Sequence, residues 1–146
     1  MKKLMIAIAV AGLSAISCEF HDSSNGLLDG FWQVARIDTI ATGGTLDTRD
    51  SNLSWAFHGN LFELRRNSEL PSGIDVISRF VHQGDSLVLY DFYNSRRELG
   101  DIRITDVYVL RPFGIHSLSQ RFTVERLDGS SMQVATDSLR ISLRRY

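Results

Sequence analysis

The sequence predicts an antiparallel all-β domain, a barrel or a sandwich of about eight strands. Three observations point there. Polarity alternates with period two from residue 31 onward, turn residues recur at short intervals, and almost no stretch carries an amphipathic helical stripe. At 146 residues the chain suits one domain, and 43% apolar with 23% charged residues is the make-up of a folded chain rather than a disordered one.

The first segment reads as an address. Lys2 and Lys3 precede an uncharged stretch at 4–17 (LMIAIAVAGLSAIS), the charged start and apolar core of a secretory signal peptide. A bilayer-spanning helix needs about 20 apolar residues, more than this run supplies. The stretch ends in Ala15-Ile16-Ser17-Cys18, which resembles a bacterial lipobox, with Cys18 the one cysteine of the chain. That resemblance implies cleavage before Cys18 and a diacylglycerol thioether on its thiol. The chain would then be lipid-anchored in the cell envelope, at the outer membrane of a Gram-negative bacterium, with the membrane as its partner through Cys18. Residues 1–17 then form the lipoprotein signal peptide, 18–27 a lipidated tether and 28–146 the folded domain. Two acidic residues after the cysteine, Glu19 and Asp22, weakly resemble the surface-export signal of Bacteroidetes lipoproteins.

Charge removes several function classes. The net charge is −1 and the basic residues are scattered, which argues against nucleic acid as a partner. Without Lys2 and Lys3 the mature chain holds 14 arginines, no lysine and 17 acidic residues, a net of −3, so lysine-nucleophile chemistry is excluded.

The predicted strands run in order. Residues 31–40 (FWQVARIDTI) mix aromatic and β-branched residues with alternating polar ones. The runs 53–58 and 61–66 flank Gly59-Asn60, a tight turn or a bulge within one bent strand. Residues 76–83, Gly84-Asp85 and 86–93 make the clearest hairpin. Residues 102–110 (IRITDVYVL) read as a further strand, Arg111-Pro112 breaks it, and 114–119 reads as a single helical turn. Residues 120–127, 131–136 and 138–146 complete a meander.

A resemblance chooses the barrel. Gly30-Phe31-Trp32 opens the first strand and matches the G-x-W of lipocalins. Arg140 lies on the last strand, where the calycin pattern sets an arginine over that tryptophan. The stretches 28–33, 110–115 and 139–146 together resemble small lipocalin-like lipoproteins of Bacteroidetes. The resemblance implies a lipocalin-like, up-and-down barrel of about eight strands over residues 28–146, closed by Gly30, Trp32 and Arg140. It implies no common ligand or activity. Three triplets, Asp38-Thr39-Ile40, Asp85-Ser86-Leu87 and Asp137-Ser138-Leu139, resemble an O-glycosylation motif of envelope proteins from the same phylum.

Catalytic patterns are absent. Gly84-Asp85-Ser86-Leu87 spells a hydrolase signature, but it falls in a predicted hairpin turn, and none of His21, His58, His82 or His116 follows an aspartate by three residues. The isolated histidines and the single cysteine predict no metal site. Carboxylates at Asp91, Glu98, Asp101 and Asp106 cluster near a turn without the marks of an acid–base pair. The expectation is a protein that is not an enzyme and takes no cofactor. The expected function is binding of a small apolar or amphipathic ligand in the barrel, under a mobile lid at residues 41–52 (ATGGTLDTRDSN). Alternation turns inward either Trp32, Val34, Arg36 and Asp38 or Phe31, Gln33, Ala35 and Ile37; with Trp32 inward, Arg36 and Asp38 line the lumen beside Trp32 and Trp55. The alternative is a filled barrel acting as an interaction module of an envelope complex, with Tyr90, Phe92, Tyr93, Arg96 and Arg97 as its aromatic–arginine cluster.

Overall fold

A computed structural model describes residues 24–66, 74–96 and 100–146. Cys18, the expected signal peptide at 1–17, most of the expected tether at 18–27, Arg97 and Glu98 lie outside the described residues.

Among the described residues, ten antiparallel strands form one sheet: β1 (Gly30–Thr39), β2 (Gly44–Asp47), β3 (Leu53–His58), β4 (Leu61–Arg66), β5 (Ile74–Gln83), β6 (Ser86–Arg96), β7 (Gly100–Arg103), β8 (Ser119–Leu127), β9 (Ser131–Ala135) and β10 (Leu139–Arg145). Hydrogen bonding runs in the order β10-β9-β8-β6-β5-β4-β3-β1, and β1 pairs again with β10, so eight strands close into a barrel. Closure leaves no open edge among these eight. The predicted barrel is therefore observed, with two additions outside the ring: β2 pairs with the far half of β1, and β7 with the far half of β6. Gly59-Asn60 and Gly84-Asp85 are hairpin turns, and both glycines hold the positive φ that such turns require.

The core is the inward row of each strand. Trp32, Trp55, Phe57, Phe62, Leu64, Leu87, Leu89, Phe122, Val134 and Ile141 are buried within it. Three bulges shift which residues take part. Register steps by an extra residue on β1 between Val34 and Arg36, on β6 opposite Ser78, and on β8 between Val124 and Arg126. Each extra residue reverses the inside–outside parity of the strand beyond it.

Two predicted elements differ. Residues 102–110 are not one strand: β7 ends at Arg103, and a 3-10 helix spans Val107–Phe113. The Asp106 side chain accepts from the Tyr108 N–H at 2.9 Å to start it, and Gly114 at φ 83° ends it. Ile104, Val107, Leu110 and Phe113 all pack on the core, a spacing of three that fits the three-residue turn of a 3-10 helix. The predicted turn at 114–119 lies one step too late. Residues 41–52 are not a bare loop either. They form β2 and a 3-10 helix at Arg49–Ser51, and the buried Thr48 hydroxyl donates to the Val34 carbonyl at 2.7 Å. Thr48 also donates its backbone N–H to the Ala35 carbonyl at 3.0 Å, so the segment is tied to the wall instead of hinged over the mouth.

Candidate functional site

Two places could receive a ligand in such a barrel: the lumen and the outer wall. Across the lumen, β3 and β8 lie four strands apart in the ring of eight, on opposite walls. Yet the rings of Trp55 and Phe122, one from each, have centroids 5.5 Å apart. Trp55 also meets Phe62 edge-on at 5.3 Å, and Phe57 meets Phe80 at 5.1 Å. Aromatic rings thus bridge the whole bore at this level. The Trp55 indole N–H has no acceptor among the described residues.

Both ends are occupied as well. At the mouth, Leu110, Phe113 and Ile115 are fully buried, and a Cβ placed on Gly114 would collide with Ile141 Cδ1. The 3-10 helix therefore packs down against the inner side of β10. At the closed end, Trp32 donates its indole N–H to the Leu28 carbonyl at 2.9 Å, within the short helix Gly26–Leu28. Arg145 lies over its ring at 4.4 Å, with Nη1 donating to the Asp29 carbonyl at 2.8 Å.

This corrects the expected role of Arg140. Arg140 is directed outward and donates to Glu125 through Nε at 2.7 Å, while Arg145, directly opposite Trp32 in the β1–β10 register, takes the place over the indole. Gly30 has φ 124°, and a Cβ there would stand 2.5 Å from Arg145 Nη1, so only glycine suits the position.

Arg36 and Asp38 are also corrected. The bulge at Ala35 turns Ile37 toward the core and sets Arg36 and Asp38 outside, where their side chains form an ion pair at 3.1 Å. Of the four residues expected to line the lumen, Trp32 and Trp55 are inside, and both belong to the packing. The aromatic–arginine cluster divides for the same reason. The extra residue at Asp91, with φ 53°, turns Phe92 into the core and leaves Tyr90 and Tyr93 facing out.

The outer wall offers grooves. One of about 410 Å³ is lined by Leu61, Ile77, Arg79, Tyr90, Tyr93 and Asp101, among others. A second of about 330 Å³ lies beside it between Phe31, Ala56, His58 and Glu63, and Leu61 and Ile77 belong to both. Strand register explains the continuity: Phe31, Ala56, Glu63, Ile77 and Tyr93 stand directly opposite one another across five strands. Polar groups rim this stripe. Arg103 donates to Asp91 at 2.8 Å and lies over the Tyr93 ring at 5.9 Å, and Arg65 donates to Glu63 at 2.7 Å.

The other sequence candidates are not brought together with these grooves as one catalytic group among the described residues. Gly84 and Asp85 form the β5–β6 turn and Ser86 begins β6, so the hydrolase-like tetrapeptide is turn chemistry. Among the described residues no three histidine, cysteine or carboxylate side chains gather as a metal site. Burial, with Arg111 nearby, lowers the pKa of His116, whose backbone N–H donates to Gln120.

This fold has known counterparts. Residues 11–146 match the profile of the lipocalin-like domain. The chain belongs to the lipocalin-like family. A lipocalin-like protein from Bacteroides uniformis, solved at 1.79 Å, has the same fold: TM-score 0.64 and 16% identity, over 83% of this chain and 100% of that one. An uncharacterized protein from Bacteroides eggerthii is similar at TM-score 0.58 and 14% identity, over 82% of this chain and 99% of that one. No curated protein matches. Within the lipocalin-like architecture, the outer groove at Leu61 and Ile77 is what sequence reasoning missed. Its one sequence-level trace is the apolar parity of Phe31, Ala56 and Ile77, which shows only once register is known.

Proposed function

We propose that this lipocalin-like protein is a non-enzymatic binding module of the cell envelope. It is anchored by lipid on Cys18 at the outer membrane of a Gram-negative bacterium, after removal of residues 1–17. Its ligand is an apolar or amphipathic small molecule, held on the outer wall in the groove floored by Leu61 and Ile77. The observation that carries this reading is the contrast between two surfaces. Rings from opposite walls meet inside the barrel at 5.5 Å, while adjoining grooves of about 410 and 330 Å³ open outside. Those volumes fall in the range of small-molecule sites; the smaller groove is mostly apolar, and the larger sets Leu61, Ile77 and two tyrosines beside Arg79, Asp91 and Asp101, a mixture that suits an amphipathic ligand.

The test is a titration of the soluble 19–146 chain with fatty acids and an anilinonaphthalene dye, read by dye emission and thermal unfolding. A ligand at 100 times its Kd should stabilise the fold by about 2.7 kcal/mol. Ile77→Arg should weaken binding tenfold or more. Tryptophan emission should hardly change on binding, because Trp32 and Trp55 are fully buried inside the barrel. Binding that quenches tryptophan and survives Ile77→Arg would return the ligand to the lumen.

One observation favours a second reading, an interaction module for another envelope protein. The mouth end exposes Ile40, Leu46, Tyr108 and Val109. Cross-linking from position 46 or 108 to one defined envelope protein, with no small molecule shifting the unfolding midpoint, would support it.

A further inference from the structure

The place where the chain enters the barrel orients the molecule. Asn25 donates to the Gly59 carbonyl at 2.5 Å and to Asp29 at 2.8 Å, so residues 24–25 leave the fold at the closed end, beside the β3–β4 turn. Cys18 lies six residues before Ser24. Six residues span at most about 20 Å when fully extended. A folded domain of 100 residues has a radius of gyration of about 13 Å, so a tether this short leaves no room for one between the barrel and the bilayer.

The same end exposes large apolar side chains. Leu27, Phe31 and Leu61 are each 53% accessible, and Tyr146 is 71% accessible. They form one surface. The Tyr146 N–H donates to the Phe31 carbonyl at 3.2 Å, Arg145 donates to the Leu27 carbonyl, and Phe31 and Leu61 line the same groove. The β5–β6 and β8–β9 turns, at the same end but on the other side of the ring, carry Asp85 and Asp128. The apolar side is therefore the side from which the tether leaves. Aromatic residues with one polar edge, such as Tyr146, suit the interface between headgroups and acyl chains.

We infer that Leu27, Phe31, Leu61 and Tyr146 dock on the surface of the bilayer that holds the Cys18 lipid. The barrel then leans onto its β1–β3–β4 side, and the Leu61–Ile77 groove opens at headgroup level. This rests on lipidation of Cys18, and it gives the groove a source of ligand, the amphipathic molecules of the bilayer itself.

The experiment uses the full lipidated protein in phosphatidylcholine–phosphatidylethanolamine vesicles. With the Cys18 thiol consumed by lipid, Leu61→Cys and Leu46→Cys each offer one thiol for an environment-sensitive dye. Dye at position 61 should shift to the blue on reconstitution and be quenched several-fold more by headgroup spin-labelled lipid than dye at position 46. Adding Phe31→Ser and Tyr146→Ser should abolish most of that difference while circular dichroism and flotation with vesicles stay unchanged. Flotation with equal quenching at the two positions would overturn the docking surface and leave the anchor standing. Failure of the protein to float would overturn the anchor, and the docking surface with it.

Discussion

The Arg145 guanidinium lies 4.4 Å from the centre of the Trp32 ring and donates to the carbonyls of Asp29 and Leu27. Trp32 in turn donates to Leu28. One residue of the last strand therefore fastens the entry segment, the first strand and the indole together at the closed end. Removing a buried aromatic costs about 3–5 kcal/mol, so Trp32→Ala should be severely destabilising. A partly desolvated cation–π contact contributes about 0.5–2 kcal/mol, which is the coupling a Trp32→Ala/Arg145→Ala double-mutant cycle should return. Arg140→Ala, which loses only an exposed pair with Glu125, should change urea midpoints little and show no coupling to Trp32. Coupling to Arg140 and none to Arg145 would invert the assignment.

The two tryptophans make a matched pair for a second prediction. Both are fully buried, but the Trp32 N–H donates to a carbonyl, whereas the Trp55 N–H has no acceptor among the described residues. Replacing either by phenylalanine removes similar volume. Trp32→Phe also strands the Leu28 carbonyl, and an unsatisfied buried partner costs about 1–3 kcal/mol. Trp55→Phe instead deletes a donor that is already unsatisfied. Denaturant unfolding should rank Trp32→Phe as the more destabilising by roughly that margin. Equal losses would mean that the Trp55 N–H is satisfied in solution.

The strand pattern was legible because alternation and turn pairs mark an antiparallel all-β chain, and the G-x-W resemblance then chose the closed barrel over the sandwich. What stayed hidden depends on single inserted residues. Nothing in the composition of 31–40 marks Ala35 as the bulged position, yet that residue decides whether Arg36 and Asp38 face the core or the solvent. Asp91 does the same for Phe92 and Tyr93. Choosing among the arginines of β10 needed the β1–β10 register, because 140, 144 and 145 are chemically alike and only 145 stands opposite Trp32. The 3-10 helix could have been read from the spacing of Ile104, Val107, Leu110 and Phe113. The β-branched residues among them looked equally at home in a strand.

Acid should weaken the fold through carboxylates held ionised by local donors. Asp128 accepts backbone N–H groups from Ser130 and Ser131, with Arg126 at 2.9 Å, and its pKa lies well below the ordinary carboxylate range. Asp47 is lowered to about 2, chiefly by its hydrogen bonds from the Arg49 side chain and backbone. A depressed folded-state pKa gives stability that is complete above the unfolded value, near pH 4, and is lost as pH falls through the folded value. Asp128→Asn should therefore unfold at a lower temperature than the native chain at pH 7, and the gap should narrow below pH 4. Midpoints that run parallel from pH 7 to pH 2 would mean that the charge at Asp128 does not stabilise the turn.

The contact between Trp55 and Phe122 yields the prediction that separates a filled barrel from a hollow one. Phe122 reaches across the bore from β8, and cutting it to alanine removes the ring that closes the lumen at that level. The loss should be about 3–5 kcal/mol, as for other buried aromatics truncated without collapse of their surroundings. A cavity lined by Trp55, Phe62 and their neighbours would be apolar, and such cavities stay dry and take up small apolar molecules. Phe122→Ala should therefore gain affinity for benzene-sized ligands, seen as partial recovery of its unfolding midpoint and as a change in Trp55 emission. The native chain should show neither response to the same ligands, although its outer groove still binds larger amphipathic ones. If the native chain takes up benzene with a change in tryptophan emission, the interior has room in solution and the lumen regains its claim as the binding site. If Phe122→Ala loses stability and gains no ligand, the walls close in behind the missing ring, and the packing is more plastic than the 5.5 Å contact implies.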